Sequence, residues 1–104
     1  MSKHIAKNTH FLSLLLNTSN DQAIALLYTA TPEQLQLLSE IAYNLLELPL
    51  NKKAVHLVKA KKQFFETFAH KKLAQAQKIR LLRKHSEHLL TTLLAVKGQL
   101  EQPV

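Results

Sequence analysis

The chain of 104 residues contains no cysteine, no tryptophan, one glycine and three prolines, and its formal net charge is +7. That length suits one domain with a modest core, and the lack of cysteine excludes a disulfide scaffold, a thiolate zinc site and a cysteine nucleophile. Hydrophobic residues make up 46% but aromatics only 6%, so the apolar content is mainly Leu, Ala, Val and Ile, which favours packed helices over a sheet sandwich.

Helical punctuation is legible along most of the chain. Ser2 to Leu16 begins polar and ends in Phe11, Leu12, Leu14, Leu15 and Leu16, a first helix. Asn17-Thr18-Ser19-Asn20 is a turn, with Ser19 or Asn20 able to cap a second helix that carries Ala23, Ile24, Leu26 and Leu27. Thr31-Pro32-Glu33-Gln34 has the pattern of a capping box with proline at the first helical position. Behind it, Leu35, Leu38, Ile41, Ala42, Leu45 and Leu46 recur at spacings of three and four, which predicts the central core helix. Pro49 ends that helix by restricting Leu48.

Asn51 is the next cap, with Leu50 placed to pack on Val55 as a hydrophobic staple. Val55, Val58, Phe65 and Phe68 then run down one side of a helix expected to last to about His70. Helix length alone suggests a turn near Lys71-Lys72. Ala76, Ile79 and Leu82 mark a further helix, and Ser86-Glu87 offers a cap for a last one bearing Leu89, Leu90, Leu93, Leu94 and Val96. Gly98 fits a left-handed C-terminal cap. The expectation is an all-α, single-domain compact bundle of five or six short helices over residues 1–98, with 99–104 as a frayed tail. No apolar run is long enough to span a bilayer, and Met1-Ser2-Lys3-His4-Ile5 has no apolar stretch behind its charge. A soluble protein, intracellular or enclosed in a virion, is therefore expected.

Candidate chemistry is sparse. His85 and His88 are spaced to share a helix face, with His56 or His70 as remote companions, but no third ligand is fixed by spacing. No metal or cofactor is expected. The sequence lacks a glycine-rich phosphate loop and a Gly-x-Ser-x-Gly turn, and Glu40 with Asn44 is the one polar pair inside the apolar stripe of the central helix. That pair reads as structural, and no enzyme is expected. Phe64, Phe65 and Phe68 have the spacing of core residues rather than of a base-stacking platform.

Charge segregation is the strongest signal. Lys52, Lys53, Lys59, Lys61, Lys62, Lys71, Lys72, Lys78, Arg80, Arg83 and Lys84 are interrupted by one acid, Glu66, so this stretch carries +10 while the remainder carries −3. Such asymmetry points to DNA or another polyanion as partner. Lysine outnumbers arginine nine to two in the stretch, and lysine acts on phosphate as a point charge rather than a bidentate reader of bases. All eleven are candidate phosphate contacts.

Glu40-Ile41-Ala42-Tyr43-Asn44-Leu45-Leu46, Pro49-Leu50, Lys52 to Lys62, Phe68-Ala69-His70-Lys71-Lys72 and Lys78-Ile79-Arg80-Leu81-Leu82 follow one another in a recognisable order. From about Ile24 to Leu82 the chain resembles the small basic proteins encoded near capsid genes in adintoviruses and Maverick/Polinton-type elements. These carry a Glu-x-Ala-x-Asn-Val/Leu-Leu segment, a Pro-Leu connection, a basic helix, Leu-Ala-x-Lys-Lys and a second basic helix ending in Leu-Leu. The family's glycine before Pro-Leu and its later Gly-Gly pair are replaced here by Glu47-Leu48 and Arg83-Lys84-His85-Ser86. The resemblance implies a late virion or transposon-particle component, in the virion or host nucleus, associated with the genome or inner capsid. The reading is thus a non-enzymatic protein for sequence-independent DNA binding or genome packaging. Its rival is a helical interaction module, or minor capsid-associated protein, whose basic face meets an acidic partner. A homo-oligomer is compatible with either, the stripe from Leu89 to Leu94 serving as core or interface.

Overall fold

Local chemistry explains where three of the helices begin. The computed structural model describes residues 9–100, and among them it holds eight helices and no strand. They are α1 (Thr9–Asn17), α2 (Asn20–Tyr28), α3 (Pro32–Glu47), α4 (Lys52–Ala60), α5 (Lys62–Phe68), α6 (Gln75–Lys84), α7 (Ser86–Ala95) and α8 (Lys97–Leu100). Ser19 caps α2, accepting from the Gln22 amide at 3.3 Å. The capping box at α3 is complete: Gln34 N–H donates to Thr31 Oγ1 at 3.1 Å, and Thr31 N–H donates to Gln34 Oε1 at 3.0 Å. Leu48, before Pro49, is extended with ψ of 151° and closes α3. Asn51 does two things at once. Its Oδ1 accepts from Ala54 N–H at 2.9 Å, capping α4, and its Nδ2 donates to the Ala95 carbonyl at 3.0 Å, tying α4 to the end of α7.

The helix expected from Asn51 to His70 is divided at Lys61, whose φ of −130° and ψ of 40° leave the helical region. In an uninterrupted helix the Lys61 amide would donate to the Leu57 carbonyl. It donates instead to Val58 at 3.3 Å, and the Leu57 carbonyl accepts from His88 Nε2 at 2.7 Å. A carbonyl only accepts, so the Nε2 of His88 carries the proton. Three further expectations are corrected. Ser86 is not a cap but a buried residue inside α7, its Oγ donating to the Arg83 carbonyl at 3.4 Å; the cap position belongs to His85. Gly98 has no positive φ and lies within α8, so it is not a left-handed cap. Gln99 and Leu100 are helical rather than frayed, because Leu100 is buried in the core. The break at Lys61 and the extra α8 raise the count above five or six. Residues 2–8 of the expected first helix and 101–104 of the expected tail lie outside the described residues.

Two helices organise the packing. α3 lies against α5 and α6, while α7 contacts α2, α4, α6 and α8. Leu38, Ile41, Leu45, Val58, Phe65 and Phe68 are all buried, as the helical spacing predicts. Phe64 meets Phe65 edge-on with centroids 5.0 Å apart and stacks on Phe68 at 5.4 Å. Leu89, Leu90 and Leu93 are core residues, whereas Leu94 is 39% exposed. Phe65 sits at 0% exposure and Leu45 at 3%, so their truncation leaves cavities. Phe65→Ala should cost about 3–5 kcal/mol and Leu45→Ala about 2–5 kcal/mol in chemical denaturation, a large part of a small domain's stability. Losses under about 1 kcal/mol for both would place the core elsewhere.

Candidate nucleic-acid interface

Helical period sorts the basic residues onto faces. On α4, Lys52, His56 and Lys59 are four and three residues apart and share the exposed side with Lys53, opposite buried Ala54 and Val58. On α6, Arg80, Arg83 and Lys84 share the exposed side in the same way, opposite Leu82. Lys61 and Lys62 stand at the bend between α4 and α5, and Lys71 and Lys72 in the turn after α5. Ten of the eleven candidate phosphate contacts are therefore exposed.

Lys78 is the exception. It is 8% exposed, and its Nζ donates to Ser39 Oγ at 2.8 Å, while that hydroxyl donates to the Leu35 carbonyl at 2.9 Å. Burial pushes the Lys78 amine below its ordinary value. Its place four residues before buried Leu82 puts it on the core side of α6, a signal that basicity alone overrides. Ala76, expected in the apolar stripe, is exposed for the same reason of phase. Arg83 is exposed but tethered. Its Nη2 donates to the Tyr28 carbonyl at 3.3 Å, its guanidinium lies 5.6 Å from the Tyr28 ring centroid, and the Tyr28 hydroxyl donates to the Arg83 carbonyl at 3.4 Å. This latch joins α6 to α2.

Folding also gathers groups that are distant in sequence. His85, half-buried, places its ring 4.7 Å from Phe64. Burial lowers its proton affinity first, and the nearby charges of Lys61, Lys84 and His88 lower it further. His88 adds a ring contact at 6.2 Å to Phe65. The two histidines expected to share a face do lie together, but one ring nitrogen of His88 is bonded to Leu57. Among the described residues no group of three or more His, Cys, Asp or Glu is placed to hold a metal ion. Glu40 and Asn44, both half-buried, line a cleft of about 1130 Å³ between α3 and the turn after α5. Glu47 and Glu66 share it with Lys71, Lys72 and Lys78, so its charge is mixed rather than cationic.

Comparison with family models, curated proteins and solved structures finds no match to this chain. Among the described residues no helix is long and apolar enough to cross a membrane.

Lys78→Met should separate the buried cation from the exposed ones. Methionine keeps the stem and removes the charge, so melting temperature should rise by a few degrees, roughly the response to 1 kcal/mol in a domain of this size. Between the lowered folded value and 10.5 the unfolded chain binds more protons than the fold, so wild-type stability increases with pH there. The advantage of methionine should accordingly shrink as pH approaches 10.5. A lower melting temperature for Lys78→Met at pH 7 would show instead that the bond to Ser39 outweighs desolvation.

Proposed function

We propose that this chain is a non-enzymatic DNA-binding protein that holds phosphates without reading bases, serving genome packaging in a virus-like element. One observation carries the reading: ten exposed cations lie in a stretch interrupted by a single acid. Each cation near a phosphate releases condensed counterions, which supplies affinity indifferent to sequence. Eight of the ten are lysines, suited to backbone contact rather than bidentate base readout. The resemblance to small basic proteins of adintoviruses and Maverick/Polinton-type elements supports the same role, with the genome or the inner capsid as its setting.

Two structural details favour this over the alternatives. Ser39 and Lys78 are paired as a nucleophile and base would be, but the serine proton is directed to the Leu35 carbonyl and both residues are buried. The stripe from Leu89 to Leu94, open to use as core or interface, spends Leu89, Leu90 and Leu93 within the core.

Fluorescence anisotropy with short duplexes tests the proposal. If about six to eight phosphates are engaged, log affinity against log salt should have a slope of about −5 to −7, and unrelated duplexes should bind alike. Replacing Lys52, Lys53 and Lys59 together with alanine should reduce the slope by about 3 and leave the melting temperature nearly unchanged. A flat response between about 50 and 200 mM NaCl would end the proposal.

A further inference from the structure

We propose that Lys61, Lys84 and His85 form a phosphate seat where the α4–α5 bend meets the α6–α7 bend, and that protonation of His85 tightens it. The inference rests on the DNA-binding reading for its natural ligand.

The seat is a product of two bends locked face to face. Lys61 occupies the first, with φ of −130°, and His85 the second, with φ of −117°. His88 joins them by donating from Nε2 to the Leu57 carbonyl at 2.7 Å, and the His85 ring lies 4.7 Å from Phe64 at the start of α5. Each bend thereby delivers one exposed lysine, Lys61 and Lys84, beside a half-buried imidazole. The charged and titratable groups acting on His85 are Lys61 from the α4–α5 bend, Lys84 from α6 and His88 from α7. All are cationic or able to become so. α5 meets the ring through Phe64, and its acid Glu66, two positions on, is exposed on another side of that helix. Arg83 is turned to Tyr28 on α2. Glu87, two positions along α7 and exposed, falls on the far side of that helix.

Such a corner repels a proton and attracts an anion. A phosphate group between the two ammonium groups offsets their charge, so the imidazolium that was disfavoured becomes a third donor. Linkage makes this reciprocal: an anion that raises the proton affinity of His85 is itself bound more tightly when His85 is protonated. Without anion, the lowered value of His85 means that the unfolded chain takes up more protons as pH falls below 6.5, so acid weakens the fold. With the seat filled, that loss shrinks.

Proton NMR of the histidine ring signals tests the seat with sodium tripolyphosphate, and His85→Gln assigns the resonance. The titration midpoint of His85 should rise by about one pH unit, equivalent to a tenfold gain in anion affinity on acidification. Replacing exposed Lys61 and Lys84 with alanine should abolish the rise without unfolding the protein, which covers the case in which His85→Gln folds poorly. Duplex affinity should tighten between pH 7.5 and 5.5 in the wild type and respond less in His85→Gln. A midpoint unmoved by tripolyphosphate overturns the seat. Salt-steep duplex binding that ignores the Lys61/Lys84 substitutions also overturns it, while leaving the DNA-binding reading intact. A His85 midpoint that rises with tripolyphosphate in a protein that fails to bind duplex supports the seat and refutes DNA as its ligand.

Discussion

The carbonyl of Leu57 accepts from His88 at 2.7 Å where a continuous helix would have given it the amide of Lys61. On that exchange depends the course of the whole basic segment. An unbroken helix from Lys52 to Phe68 would run about 26 Å, close to the longest dimension of a domain this size, and could not serve two partners lying in different directions. Bent at Lys61, the segment packs α4 on α7 and α5 on α3. The bond to His88 satisfies a carbonyl that the bend would otherwise strand, which is why the bend is affordable in the partly buried interior.

Charge makes the apolar anchoring necessary. Two unit charges about 9 Å apart in water repel by only about 0.5 kcal/mol, but a stretch of +10 contains many such pairs. Against this, a fully buried phenylalanine contributes about 1.5–3 kcal/mol. Phe64, Phe65 and Phe68, all buried, with the Phe64 ring in contact with the other two, hold α5 down. Lysine stems reach out from the helix margins and keep their ammonium groups in water. Lys78 alone breaks that division, and its bond to Ser39 satisfies one of its three donors without neutralising the charge. The same core that folds the chain thus leaves ten of the eleven cations of the stretch exposed.

Local signals were readable in the residues, and long-range ones were not. Thr31 with Gln34, Ser19, Asn51 and Pro49 act within three or four positions, so their roles as caps and stops follow from spacing. The core positions Leu38, Ile41, Leu45, Phe65 and Phe68 follow from helical period. The break at Lys61 does not, because it depends on a histidine in another helix and no glycine or proline marks it. Lys78 was hidden by residue type: its phase matched Leu82, yet lysine reads as exposed. Gly98 misled in the opposite sense, since a glycine near a helix end suggested a cap while Leu100 beyond it had a place in the core. The convergence of Lys61 and Lys84 on His85 emerges only when both bends are known.

The fold holds its cationic stretch together by apolar packing and leaves the exposed charge unneutralised. Melting temperature measured against NaCl, with no polyanion present, tests this most directly, because salt screens exposed charges and leaves buried packing nearly untouched. Self-repulsion among the exposed cations predicts a melting temperature that climbs as NaCl is raised from about 20 to 500 mM, over which the Debye length falls from about 20 Å to about 4 Å. A melting temperature that falls over this range would contradict the claim, since it would mean that the cations are engaged in internal ion pairs on which the fold relies.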